Sequence, residues 1–326
     1  MPERRMKTQR LRQLTLNPSD HPRGLPHLAA ASGLVCAHGR AYVIADDENH
    51  LAVFGDNHSP GRLHRVRSVR SGELPADAVQ RKRVKPDFES LMLLPARGHR
   101  PGALLALGSG SKPQRDGGAL IALQPDGEPE DRVSPIDIKP LYAVLRQRLG
   151  AINIEGAFIS GTHWVLLNRG VGGQPSASVC YALSTLHALV DGRPAGLEPV
   201  AVQTHDLGFI DGVQLAFTDG AALPGGGFLF SAVAEATSNS VDDGACTGSV
   251  IGHIDGNGAL VALCRLASAV KVEGLALQVV GGKMRGGKVR SGKIRSGQIR
   301  GGQTHLALVT DADDPSRPAE MLLARW

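Results

Sequence analysis

A chain of 326 residues, 42% hydrophobic and 21% charged, is long and apolar enough to bury a large core, and at 4% aromatic it has few stacking platforms for sugars or single-stranded nucleic acid. Its formal charge of +5 is unevenly placed: residues 281–303 carry seven Lys and Arg and no acid, and residues 1–12 carry five against one Glu, so the remainder is net acidic, a weak footprint for specific nucleic-acid recognition. No run of about 20 apolar residues offers a membrane span, and MPERRMKTQRLRQLTLNP lacks the apolar stretch of a signal peptide, so the expectation is a soluble cytoplasmic protein with neither a membrane nor a specific nucleic-acid partner.

In chain order, Arg10–Leu16 comes first, a β-patterned run with no neighbour to pair with. Five short apolar runs then recur, each opening on an acidic or small polar residue followed by Gly or Ser: Ser32-Gly33, Glu89-Ser90, Glu155-Gly156, Asp219-Gly220 and Glu273-Gly274. Behind each lies a second run, at 41–45, 103–107, 164–167, 228–232 and 305–309. A third follows at 50–54, 119–123, 178–183, 249–254 and 320–325, and in four units a fourth at 63–69, 133–138, 200–207 and 259–266. Runs of this length bounded by Gly, Pro, Asn and Asp read as strands.

The pattern predicts an all-β fold, a single β-propeller over residues 1–326 with five four-stranded blades, or six if the long loops conceal another unit. The last unit lacks a fourth strand; Arg10–Leu16 supplies it, which closes the ring and removes an exposed sheet edge. Pro140–Leu149, with Leu141, Leu145 and Leu149 at helical spacing, predicts a helix in one connection. From Gly281 to His305 the sequence repeats every five residues, which fits neither strand nor helix; 281–303 reads as a low-complexity basic loop inserted in the last blade. Cys36, Cys180, Cys246 and Cys264 have no CxxC spacing and read as buried free thiols.

In an up-and-down blade the start of the innermost strand and the end of the second lie on the same face. The starts bring Glu89, Glu155, Asp219 and Glu273, with Asp87, Asn153 and Lys271 beside them, while the first blade offers Ser32. The second-strand ends bring Asp46 and Asp47, Ser109 and Ser111, Asn168 and Arg169, Glu235, and Asp311 with Asp313. Innermost strands crowd the axis, so these carboxylates converge, and like charges that close need neutralising. A hard cation such as Ca²⁺ would do so. So would protein cations such as Lys85, Arg169 and Lys271, or backbone N–H groups of adjacent blades, the acids then stitching the ring. No HExxH or GxSxG occurs, which leaves zinc-protease and α/β-hydrolase chemistry without its mechanical elements.

Asn153-Ile-Glu-Gly156, Lys271-Val-Glu-Gly274, Thr218-Asp-Gly220 and Thr310-Asp-Ala-Asp313 resemble the E-G-L and D-D signatures of phytase-like and esterase-like β-propellers, a group similar to gluconolactonase-type propellers. Ser32-Gly-Leu34, Ala45-Asp-Asp-Glu48, Ala106–Ser111, Phe217–Gly220 and Val309–Pro315 more closely resemble a bacterial propeller family with no assigned function. The resemblance spans nearly the whole chain. It implies a hydrolase of phosphoesters, esters or lactones that depends on Ca²⁺ or another divalent cation, with Glu89, Glu155, Asp219 and Glu273 in the metal-binding positions. On that reading Asp46, Glu235 or Asp311 is the base, and Arg169 or Lys112 orients a small, anionic substrate. The alternative is a non-catalytic propeller that binds a protein partner or small ligand, its acidic ring purely structural.

Overall fold

Five antiparallel sheets follow one another along the chain in a computed structural model that describes residues 5–55, 58–66, 73–170, 172–236, 244–278 and 304–326. Blade 1 comprises Ala31–Ala37, Arg40–Ala45, His50–Phe54 and Arg62–Arg65, and blade 2 comprises Phe88–Leu94, Ala103–Gly108, Gly117–Leu123 and Pro129–Asp137. Blade 3 comprises Ile154–Ser160, His163–Asn168, Ser176–Ala182 and Ala201–His205. Blade 4 comprises Val213–Ala222, Phe228–Ala236, Ala245–Ile254 and Leu260–Leu266, flanked by the two-residue strands Phe209–Ile210 and Arg5–Met6. Blade 5 comprises Lys271–Gln278, His305–Asp311 and Glu320–Arg325, completed by Thr8–Gln13 from the beginning of the chain. The innermost strands touch one another in ring order, with blade 5 against blade 1. The protein is a five-bladed β-propeller.

Closure is reinforced beyond the one strand expected. Arg5–Met6 pairs in parallel with the outer strand of blade 4, and the chain then crosses to pair antiparallel with Glu320–Arg325 of blade 5, so the N-terminal segment straps two blades together. The apolar core is divided in the same way: five clusters of buried side chains lie one in each interface between neighbouring blades. A strand sandwiched between two blades is buried on both faces, which explains why Arg40–Ala45, His50–Phe54 and Ala103–Gly108 are near-continuous apolar runs rather than alternating ones.

The expected helix is present as Lys139–Leu149. It packs Leu141, Tyr142 and Leu145 into the core between blades 2 and 3, and the Tyr142 hydroxyl donates to the Gly108 carbonyl (2.7 Å). Two helices without a counterpart in the strand pattern, Ala78–Val84 and Leu183–Val190, fill connections. No helix among the described residues is long and apolar enough to cross a membrane. The period-five insertion at 281–303 lies outside the described residues. None of the four cysteines is in a disulfide, and only Cys264 is buried; Cys36, Cys180 and Cys246 are half-buried on their strands.

Candidate functional site

Every innermost strand carries a β-bulge, near its start in blades 1, 2, 3 and 5 and in the middle of the longer Val213–Ala222 of blade 4. The register slips between Ala31 and Gly33, Phe88 and Ser90, Ile154 and Gly156, Phe217 and Asp219, and Val272 and Gly274. The extra residue is therefore Ser32, Glu89, Glu155, Thr218 and Glu273 in turn. A bulge re-aims its side chain out of the ladder. Where a glycine follows, it lets the blades close: a Cβ on Gly33 would lie 2.8 Å from the Leu91 nitrogen of blade 2, and one on Gly274 would lie 3.1 Å from the Leu34 nitrogen of blade 1.

This register corrects one expectation. In blade 4 the residue equivalent to Glu155 is Thr218, and Asp219 stands one position later. Asp219 is buried and accepts N–H bonds from Gly220 (2.7 Å) and from Leu275 of blade 5 (2.8 Å), while the Thr218 hydroxyl donates to the Val272 carbonyl (2.7 Å). Both side chains thus join blade 4 to blade 5, apart from the ion-pair network.

That network occupies the mouth of the central channel in two parts. The first lies between blades 1 and 2. Lys85, just past the helix Ala78–Val84, reaches the Asp46 carboxylate and lies 2.8 Å from Asp87. Asp87 also accepts from Ser109 Oγ (2.5 Å) and from Arg115 (2.6 Å), which in turn donates to Ser111 Oγ (2.8 Å). The loop that carries these groups is braced from outside by Arg146, which binds Asp116 and the Gly110 carbonyl. Glu89 completes the group: one carboxylate oxygen from each of Asp46, Asp87 and Glu89 falls within 4.8 Å of the others. Beside it, Asp47 and Glu48 turn to a separate cluster, where Arg23 approaches them at 3.1 and 2.6 Å and His21 meets Glu48 at 2.9 Å.

The second part spans blades 3, 4 and 5. Asn153 Nδ2 donates to Glu155 (2.6 Å), Arg169 reaches Glu155 at 3.6 Å and pairs more closely with Glu235, and the Gly244 N–H also donates to Glu235 (3.0 Å). Lys271 sits among four carboxylates: Asp313 at 2.8 Å, Glu235 at 3.3 Å, Glu273 at 3.4 Å and Asp311 at 3.7 Å. The mouth thus gathers Glu89, Glu155, Glu273, Asp46, Glu235, Asp311 and Arg169. Lys112 stands apart at the N-terminal edge of the short helix Pro113–Arg115, with no ion pair among the described residues.

Residues 27–325 match the model of a protein family described as "Family of unknown function (DUF6929)". The chain belongs to that family. No curated protein matches the sequence. Solved structures resemble the DUF6929 chain in fold at low identity. The Dos1 propeller aligns at TM-score 0.36 and 12% identity, over 92% of this chain and 59% of that one, so this chain spans less than two thirds of its length. Glutaminyl cyclase of Myxococcus xanthus aligns at TM-score 0.47 and 10% identity over 99% of each chain. The PQQ-bound aldose sugar dehydrogenase of Streptomyces coelicolor aligns at 0.40 and 12%, over 100% of this chain and 99% of that one. Such similarity carries no statement about activity.

The chemistry of the DUF6929 chain's mouth follows from its charge balance. Among the described residues four cations, Lys85, Arg115, Arg169 and Lys271, face eight carboxylates, so the acids cannot all ionise at their ordinary values. Burial pushes Glu155 up to about 8 against the opposing pull of Arg169, and Glu273 up to about 6 against Lys271 and Arg169. Burial and the neighbouring Asp87, Glu155 and Asp46 hold Glu89 well above its usual range, and burial does the same for Asp311 despite Lys271. Asp46 and Glu235 go the other way: burial is outweighed by Lys85 at the first and by Lys271 and Arg169 at the second. That makes both weak proton acceptors, and Glu155 and Glu273 the carboxyls poised near neutrality. Asp87 and Arg115 were not among the expected site residues; the Asp87-Phe-Glu89, Asn153-Ile-Glu155 and Lys271-Val-Glu273 spacing, a polar residue two before each bulged Glu, is the signal that marks Asp87.

Proposed function

We propose that the channel mouth is the active site of a hydrolase acting on neutral esters or lactones, with a divalent cation held by Asp46, Asp87 and Glu89. The observation that carries this reading is Glu89. Among the described residues it alone of the mouth carboxylates receives neither a hydrogen bond nor an ion pair, although it lies in the one group of acids close enough to share an ion. Three carboxylates are hard oxygen donors, suited to Ca²⁺, Mg²⁺ or Mn²⁺ rather than to zinc. The ammonium of Lys85 already bridges Asp46 and Asp87, so the ion belongs on the Glu89 side of that pair, with Lys85 sharing the carboxylates. Such an ion supplies Lewis-acid polarisation of a carbonyl and a bound water of lowered pKa.

The protein's own groups supply the rest. Glu155, poised near 8 and oriented by Asn153, exchanges the proton with the leaving alcohol. Arg115 and Ser109 fix Asp87, and Arg169 and Lys271 keep the far side of the mouth from repelling itself. Because these cations are engaged by carboxylates and the acids outnumber them, a phosphomonoester dianion is a poor fit and an uncharged ester a better one. The E-G-L and D-D resemblance to phytase-like and esterase-like propellers supports a hydrolase, and the charge balance of the mouth favours the uncharged substrate. Metal analysis of the purified protein, with a parallel screen of p-nitrophenyl esters, lactones and p-nitrophenyl phosphate, tests the reading. It expects a chelator-sensitive esterase or lactonase activity lost in Glu155→Gln; inactivity on all three, with and without added divalent ions, contradicts it.

A second reading rests on Lys85. If its ammonium is the resident cation, the acids stitch the blades and the mouth binds a small ligand without chemistry. Divalent ions would then neither stabilise the protein nor support turnover.

A further inference from the structure

Away from the channel, a cavity of about 540 Å³ opens in the wedge between the outer strands of blades 4 and 5, beneath the crossover of the N-terminal strap. Its volume is in the range of pockets for small organic ligands. Met6, Cys264 and Leu323 give it an apolar floor, whereas no Asp or Glu lines it. Lys7 stands at the crossover between Arg5–Met6 and Thr8–Gln13, one residue before the Thr8–Ala324 pair, and Arg325 follows Ala324, so two cations flank that pair. Two like charges at one cavity repel each other. Both residues line the cavity, both are exposed, and neither has an ion pair among the described residues. Beside them lies the ring of Trp326, which meets His253 edge-on at 6.5 Å and 86° and whose backbone N–H is tied to the Thr304 carbonyl (2.9 Å). An anion between Lys7 and Arg325 would relieve their repulsion, and the indole beside it offers a planar face.

We propose that this wedge binds an organic anion that joins a planar ring to a phosphate, of mononucleotide size, with the phosphate between Lys7 and Arg325 and the ring against Trp326. Calorimetric titration with AMP, adenosine and inorganic phosphate tests it on the full chain. AMP is expected to bind at least about tenfold more tightly than either fragment, Lys7→Glu with Arg325→Glu to weaken it at least about tenfold, and Trp326→Ala to weaken it about fivefold. The milder Lys7→Gln with Arg325→Gln, verified by an unchanged melting temperature, guards against loss of ring closure and should still weaken AMP. Deleting residues 283–302 should leave the affinity within about twofold. Absence of AMP binding at millimolar concentration, equal binding of phosphate alone, indifference to both double variants, or loss of binding on the deletion would each overturn the proposal.

Discussion

Thr218 occupies in blade 4 the bulge position that Glu155 occupies in blade 3, and it turns its hydroxyl to the Val272 carbonyl of blade 5 instead of joining the acids. Asp219 beside it takes two backbone N–H groups. Asp219→Ala should therefore act on stability: with two buried N–H donors orphaned at about 1–3 kcal/mol each, the loss is about 2–6 kcal/mol. Urea unfolding checks the magnitude. The response to divalent ions should be unchanged in this variant, since Asp219 lies outside the Asp46, Asp87 and Glu89 group.

The glycines after the bulges are close-approach residues. Gly33→Ala places a methyl 2.8 Å from the Leu91 nitrogen and 3.0 Å from Ile44 Cγ2, and should destabilise by about 2 kcal/mol or more. Gly102→Ala makes only an ordinary 3.6 Å contact and should be nearly neutral. Equal melting temperatures for the two variants would show that the blades do not need that close approach.

Glu155 ties stability to pH. Its folded value of about 8 lies above the ordinary 4.5, so folding takes up a proton between them. Native stability is then highest below about pH 4.5 as far as this group is concerned, and declines as pH rises toward 8, by on the order of a few kcal/mol. Glu155→Gln should flatten that slope in melting temperatures measured from pH 5 to 8.5. A slope as steep as in the parent protein would assign the effect elsewhere.

Lys271 is buried among four carboxylates. Lys271→Met leaves them facing one another, and at pH 7.5 should lower stability by about 3–5 kcal/mol. At pH 5 Glu273, which sits near 6, is largely protonated, so part of that loss should be recovered. Chemical denaturation at the two pH values separates this from a packing defect, which would be the same at both.

The blade repeat was legible because four of the five units open with the same chemistry, a bulged polar residue followed by Gly or Ser, and because strands buried on both faces read as short apolar runs. The swap of the first strand was legible from its lack of a neighbour. The one-residue slip at Asp219 was not, because Thr218-Asp219-Gly220 mimics the Glu-Gly opening and only the pairing of Phe217 with Ala232 and of Asp219 with Ser231 exposes it. Lys85, Arg169 and Lys271 were recognisable as neutralisers from their places next to the acids. Arg115 was harder to foresee: it stands on a short helical turn whose direction is set by Arg146 and Asp116, contacts that strand periodicity does not encode.

The central claim is that Asp46, Asp87 and Glu89 hold a divalent cation, and its most direct test is the melting temperature with Ca²⁺, Mg²⁺ or Mn²⁺ added and then chelated. An ion at about 100 times its dissociation constant stabilises by about 2.7 kcal/mol, which for a chain of this size is a rise of about 3–6 °C. The predicted result is such a rise, reversed by chelator, weakened toward acid pH as Glu89 takes up its proton, and abolished in Glu89→Gln. A melting temperature indifferent to every divalent ion, or a rise that survives Glu89→Gln unchanged, would contradict it.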